Sequence, residues 1–213
     1  NRPDPKKGKI SRIRLPSRLT GSTSTLHSIC FLEDRKKQIW IGTSEGLWQY
    51  NPATNTTRQF LHSDSDTQSL AGNEVNAIVE DGAGNLWVGT DRGLSKLVPG
   101  RSSFVNFRHE KQSLHLMQSA NYINNIGVDK DKLWLATGNG VLLFDTKSGQ
   151  ARRFTHDQRN IHSLSAPTVR SLWLDKEGIF WFGTPGNGVN KYDKNLNLFS
   201  HIQSHVFDAK GLN

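Results

Sequence analysis

The sequence predicts an all-β chain folded as a β-propeller, and three observations carry that prediction. Trp40, Trp87, Trp134 and Trp181 stand 47 residues apart. Each opens nearly the same phrase: Trp40-Ile41-Gly42-Thr43, Trp87-Val88-Gly89-Thr90, Trp134-Leu135-Ala136-Thr137 and Trp181-Phe182-Gly183-Thr184. Between them, short apolar runs alternate with Gly-, Asp- and Asn-bearing turns, with no helical spacing inside the period. A fixed period of this length marks a propeller blade.

The second repeat shows the elements most clearly. Val75–Glu80 reads as a first strand, and Asp81-Gly82-Ala83-Gly84-Asn85 as a turn, where Gly supplies positive φ and Asp bonds the local backbone. Leu86–Thr90 is the second strand, Asp91-Arg92-Gly93 the next turn, and residues 94–98 the third strand. Pro99-Gly100-Arg101 turns the chain into a fourth strand at 104–109, and a polar loop at 110–121 leads onward. The second strand is apolar on both faces, with Leu86 and Val88 on one and Trp87 on the other, so the sheet is sandwiched between neighbours. Gly42, Gly89 and Gly183, with Ala136 in the same place, are expected to leave room for a neighbouring indole.

Turns absorb the slippage within the period. Asp129-Lys130-Asp131-Lys132 is one residue shorter than its counterparts, and Thr184-Pro185-Gly186-Asn187-Gly188 is one longer. In the fourth strand Phe60, Phe107 and Phe154 recur at 47, and Phe199 follows 45 later as their expected equivalent. One period before Phe60, residues 9–15 read as an outermost strand of a preceding blade. The expectation is therefore four complete four-stranded blades plus one extra outer strand, as a fragment of a larger propeller. The divisions are a basic arm and outer strand at 1–18, blades at 19–62, 63–109, 110–156 and 157–201, and a loop toward a further blade at 202–213.

The net charge is +8, but residues 1–18 hold seven Lys and Arg against Asp4 alone, leaving only +2 on the other 195 residues. A basic arm on a near-neutral body is not the continuous basic groove of a nucleic-acid binder. Cys30 is alone, so no intrachain disulfide forms, and its apolar setting suits a small packed hydrophobe. A Cys-poor chain fits the cytosol or a bacterial periplasm. No apolar run reaches the roughly 18 residues of a membrane span. There is neither a signal peptide nor an initiator Met, and Asn1 stands as if cut from something longer.

The second repeat, from Val75 through the Trp87-Val88-Gly89-Thr90 phrase to Leu97, resembles the two-component regulator propeller repeat. The other three match it with the turn deviations noted, and repeat one places Arg35-Lys36-Lys37 where the turn Gly stands elsewhere. A Phe-x-His strand followed by a Ser-Leu pair recurs too: His62 with Ser69-Leu70, His109 with Ser113-Leu114, His156 with Ser163-Leu164. The resemblance covers residues 9–201. It implies the periplasmic sensor region of hybrid two-component regulators of Bacteroidetes, anchored in the inner membrane. Those regulators typically carry two large propellers, an immunoglobulin-like module, a membrane helix, a histidine kinase and a DNA-binding regulator. Many detect oligosaccharides. The kinase and DNA-binding functions are not assigned to these 213 residues.

The residues that recur are assigned to the scaffold. His62, His109 and His156 repeat in every blade, and ring symmetry holds equivalent positions too far apart to share a metal. Asp34, Asp81, Asp129 and Asp175 recur at a turn, where capping accounts for them better than paired-carboxylate chemistry. His27, His115, His162 and His205 lack ligand spacing, and no metal-binding, redox or phosphate-cradling motif is present. No cofactor, metal site or catalytic residue is expected.

Residues that break the repeat are the candidates for ligand contact. Glu45, Arg92, Asn139 and Asn187 occupy the loops between second and third strands. Tyr122, Asn124 and Arg170 neighbour the inner strands. In a propeller those two regions share one face of the disc. The ligand-binding set is Glu45, Arg92, Tyr122, Asn139, Arg170 and Asn187, whose amide, charged and aromatic groups suit sugar hydroxyls and sugar faces. Trp48 and Trp173 lie in strands and are assigned to packing between blades. The leading expectation is a non-enzymatic oligosaccharide sensor working through a dimer. The alternatives are a protein-interaction scaffold and a propeller lyase or glycosidase.

Overall fold

In the computed structural model of the chain, residues 2–3, 10–11, 27–107 and 121–202 are described. Four four-stranded antiparallel sheets follow one another, each with its strands in chain order. After a short pair, β1 (Arg2–Pro3) with β2 (Ile10–Ser11), blade 1 comprises β3 (Ser28–Glu33), β4 (Ile39–Thr43), β5 (Gly46–Asn51) and β6 (Thr56–Phe60). Blade 2 comprises β7 (Val75–Glu80), β8 (Leu86–Thr90), β9 (Gly93–Leu97) and β10 (Phe104–Phe107). Blade 3 comprises β11 (Ile123–Asp129), β12 (Lys132–Thr137), β13 (Gly140–Asp145) and β14 (Ala151–Phe154). Blade 4 comprises β15 (Ser171–Leu174), β16 (Phe180–Gly183), β17 (Val189–Asp193) and β18 (Leu198–Ile202). The first strands of successive blades lie side by side, the arrangement of a propeller. Of the outer strand expected at 9–15, only Ile10–Ser11 is described, paired with Arg2–Pro3. Most of the basic arm, His109, Ser113-Leu114, His115 and the tail beyond Ile202 lie outside the described residues.

Each second strand feeds two different cores, as its two apolar faces require. Leu86 and Val88 pack toward blade 1 with Trp40, Leu47 and Phe60. Trp87 points the other way, toward Ile123, Leu133, Leu135 and Phe144 of blade 3. Trp134 repeats the step toward Phe180, Phe182 and Tyr192 of blade 4. Gly42 and Gly89 of the phrase make room for the next blade's first strand rather than for an indole. A Cβ on Gly42 would sit 2.7 Å from Val75 Cγ1, and one on Gly89 2.6 Å from Ile123 Cγ2.

The rest of the phrase is equally committed. The Thr43, Thr90 and Thr137 hydroxyls donate to the carbonyls of Gly46, Gly93 and Gly140 at 2.8, 2.9 and 2.9 Å. The same oxygens accept the N–H of Glu45, Arg92 and Asn139. Gly140 is required there: its φ is 89°, and a Cβ would stand 2.1 Å from the Phe154 carbonyl oxygen. The indoles of Trp40, Trp87 and Trp181 donate to Asp34, Asp81 and Asp175 at 2.9, 2.8 and 2.7 Å. In blade 3 the shorter turn breaks this pattern. Trp134 Nε1 is buried without a partner, and Asp129 instead pairs with Lys194 of blade 4 at 2.7 Å.

The recurring His and Ser-Leu pair form a lock between blades. His62 Nδ1 meets the Leu70 carbonyl at 2.7 Å and His156 Nδ1 the Leu164 carbonyl at 2.6 Å. Ser69 and Ser163 hydroxyls accept the N–H of Ser63 and Asp157. Leu70 and Leu164 are thereby seated, fully buried, at the blade 1–2 and 3–4 junctions.

Two further expectations are corrected. Phe199 is not the equivalent of Phe60. Phe60 pairs with Leu47 next to the hairpin glycine, but in blade 4 that place, opposite Val189, belongs to Ile202. The one-residue insertion before Gly188 moves the equivalent from 47 to 48 residues after Phe154. Phe199 matches Phe104 instead: both pack edge-on against the preceding blade, on Phe154 and Phe60 respectively. Trp173 is not packed between blades but 63% exposed, whereas Trp48 is buried.

Candidate functional site

The polar residues that repetition does not explain gather where the innermost strands begin. Three of these strands carry a β-bulge at the same place. Ser28 and Cys30 oppose Thr43 and Gly42, Val75 and Ala77 oppose Thr90 and Gly89, and Ile123 and Asn125 oppose Thr137 and Ala136. The residue left without a partner is Ile29, Asn76 or Asn124. Arg170 holds the same position in blade 4, its N–H bonded to the Gly183 carbonyl at 3.0 Å. A bulge breaks the strict alternation of a strand and re-aims the extra side chain. These side chains are thereby freed from the cores between blades.

Around them the site is tied together across blades. The Tyr122 hydroxyl of blade 3 donates a short hydrogen bond to Glu74 Oε1 of blade 2. Asn124 Nδ2 donates to the Val169 carbonyl of blade 4 at 2.8 Å. Asn76 Nδ2 is buried and completes no hydrogen bond. Burial raises the Tyr122 phenol above its ordinary pKa, and the hydrogen bond and charge of Glu74 add to this; Asn76 and the Arg170 charge act in the opposite sense. The phenol therefore stays protonated and donating at neutral pH. Arg170 is exposed and forms no ion pair among the described residues.

The six residues singled out from the sequence divide into two groups. Tyr122 and Arg170 lie beside the innermost strands of blades 3 and 4, and the Arg170 charge acts on the phenol. Glu45, Arg92, Asn139 and Asn187 sit at the tips of the hairpins between second and third strands, one per blade. Those tips do share a face with the inner-strand entrances. Gly46 N–H bonds the Asn73 carbonyl at 2.7 Å, Asp91 N–H that of Glu74 at 3.1 Å, and Gly138 N–H that of Tyr122 at 3.1 Å. Arg92 is engaged by Asp64 and Asp91, each 3.7 Å away, and Asn187 Nδ2 reaches the Pro185 carbonyl at 3.4 Å. Glu74 and Asn76 were missed. The signal for both was positional: Glu74 precedes Val75 as Tyr122 precedes Ile123, and Asn76 follows it as Asn124 follows Ile123.

A separate cavity of about 640 Å³ lies between blades 2 and 3, lined by His62, Asn106, Leu135, Leu142 and Phe144 among others. The corresponding junctions of blades 1–2 and 3–4 hold Leu70 and Leu164. Among the described residues no group of three or more His, Cys, Asp or Glu is placed to hold a metal ion. No helix among them is long and apolar enough to cross a membrane.

With this geometry established, comparison with known proteins places the chain. Residues 69–92, from the Ser-Leu lock to the hairpin tip of blade 2, match the two component regulator propeller family. The chain carries a two-component regulator propeller repeat. The other three blades repeat its Trp-x-Gly/Ala-Thr phrase. Among solved structures, the extracellular domain of the hybrid two component system BT3049 from B. thetaiotaomicron is similar at TM-score 0.66 and 22% identity, over 89% of this chain and 26% of that one. Virginiamycin B lyase from Staphylococcus aureus is similar at TM-score 0.64 and 14% identity, over 92% and 61%. PorZ, a surface component of the type-IX secretion system of Porphyromonas gingivalis, is similar at TM-score 0.59 and 17% identity, over 92% and 30%. These likenesses show the propeller fold of the repeats, and the chain spans less than two thirds of each of these proteins. No curated protein sequence matches the chain.

Proposed function

We propose that these propeller repeats form a non-enzymatic sensor module that recognises an oligosaccharide in the periplasm, as part of an inner-membrane-anchored receptor signalling through a dimer. The observation that carries this reading is the gathering of Glu74, Asn76, Tyr122, Asn124 and Arg170 where three successive inner strands begin. Amide, phenol, carboxylate and guanidinium side by side suit the mixed donors and acceptors of sugar hydroxyls. The match to the two component regulator propeller family supports a role in signalling. Glu74 is the carboxylate of this cluster and is already bonded to a phenol, which does not supply the paired carboxylates of glycoside hydrolysis. Ligand would bind one state of the receptor better than another and shift that equilibrium.

The test is calorimetric titration with a panel of plant and host oligosaccharides, with mass followed by light scattering. We expect one class to bind, and Tyr122→Ala to weaken it about 10-fold, the scale of one lost hydrogen bond to a sugar hydroxyl. A panel that gives neither heat nor change in mass would overturn the reading. A protein-interaction scaffold is the second reading, favoured by the exposed Trp173 and Ile202 of blade 4. It predicts that the blade 4 face binds a protein and that no sugar of the panel gives heat.

A further inference from the structure

We propose that the site at the inner-strand bulges selects an acidic sugar, a ligand whose carboxylate is received by Arg170. The inference rests on the sugar-binding reading above and deepens it. Arg92, the other guanidinium among the six sequence candidates, lies within 3.7 Å of Asp64 and Asp91. Elsewhere, Arg35 pairs with Glu80, Lys194 with Asp129 and Lys147 with Asp131. Arg58 and Arg152 lie over Phe60 and Phe154, and Lys96 and Lys191 over Trp87 and Trp181. Arg170 has none of these partners, although it stands in the site where charge would be most expected to be balanced.

The nearest carboxylate does not supply that balance. Glu74 accepts the Tyr122 hydroxyl on the blade 2 side of the cluster, and no ion pair joins it to Arg170. The Asn124 amide is likewise turned to the Val169 carbonyl. The Asn76 amide faces the Tyr122 oxygen, so the charged donor left over in the cluster is the Arg170 guanidinium, at the bulge position of blade 4. A planar guanidinium matches a carboxylate in a way that a hydroxyl cannot exploit, through two parallel charge-assisted hydrogen bonds. A guanidinium without an ion-pair partner makes this position complementary to an anionic ligand.

The test compares matched probes on the whole chain: digalacturonate against neutral digalactose, each titrated calorimetrically at low and high salt. We expect digalacturonate to bind at least about 10-fold tighter, the scale of one charge-assisted hydrogen bond, with the preference shrinking as salt rises. Arg170→Gln should abolish the preference, Arg170→Lys should keep part of it, and Arg92→Gln should leave it intact. Arg170 is exposed, so these variants fold. Equal affinity for the two sugars, or a preference that survives in Arg170→Gln, overturns the inference and leaves the sugar-binding reading standing. Binding of neither probe overturns the inference, while the wider panel decides the reading it rests on.

Discussion

Burial alone would favour the protonated form of the Asp81 carboxyl, yet it is held below its ordinary range. Hydrogen bonds from the Trp87 indole, the Asn85 side chain and the backbone N–H of Asn85 and Ala83 outweigh the cost of burial. Asp175 shows the same contest and outcome, with burial opposed by Trp181 and the N–H of Ile179 and Glu177. A carboxyl depressed in the folded state stabilises it above the unfolded value of 3.8, and that contribution is lost as pH falls through the lower folded value. Stability should therefore fall below about pH 4, and Asp81→Asn should flatten part of that fall in urea titrations. At neutral pH, Asp81→Ala should cost about 2–4 kcal/mol, because a buried indole N–H and two turn amides lose their acceptor together. Blade 3 supplies the control. Trp134 has no such bond, so Asp129→Ala removes only the partly exposed pair with Lys194, worth about 0–1 kcal/mol. Equal losses at Asp81 and Asp129 would show that the indole bond contributes nothing.

The blade is the unit at which glycine acquires its meaning. At Gly89 an added methyl group would meet Cγ2 and Cβ of Ile123 at 2.6 and 3.1 Å, branched atoms fixed in the next blade's core. Gly89→Ala should cost about 1–3 kcal/mol through overpacking. At Gly183 the same methyl would meet Ser171 Oγ at 2.4 Å, a hydroxyl that can rotate away, so Gly183→Ala should change stability by less than about 0.5 kcal/mol. Thermal melts of the two variants check the contrast. The position of that glycine was legible in the sequence, and so was every strand of blade 2, because period and turn chemistry are local. Its partner was not: which atom approaches Gly89 depends on how the next blade docks. For the same reason Phe199 misled, since identity and spacing mimic Phe60 while strand register, set by the longer hairpin before it, places Ile202 there instead. Tyr122 and Arg170 could be picked out because they break the repeat. Asn76 is legible only by its alignment with Asn124, because by itself an Asn inside a strand reads as a solvated face and the bulge that re-aims it is a property of strand pairing.

At the scale of the whole molecule, blades 1 and 4 each present, among the described residues, an unmatched half of an inter-blade junction. Among the described residues no blade covers Trp173 and Ile202, which occupy on blade 4 the places that Val79 and Phe107 fill against blade 3. On the far side of blade 1, Phe31 is 65% exposed where its counterpart Ile78 is buried. The two faces are complementary in kind, because every internal junction joins one of each. The 213-residue chain should therefore associate head to tail, with the blade 4 face of one copy on the blade 1 face of the next, and its mass in sedimentation should climb from 23.9 kDa as concentration rises. Trp173→Glu and Phe31→Glu should each arrest this at the monomer, with unchanged melting, since both side chains are already in water. Mixing the two variants should restore a single junction and stop at a dimer, because each retains the face that the other lacks. An isologous dimer through blade 4 would behave differently, with Phe31→Glu remaining dimeric by itself. A mass that stays monomeric at all concentrations would mean that these indole and aliphatic surfaces are too small or too curved to associate.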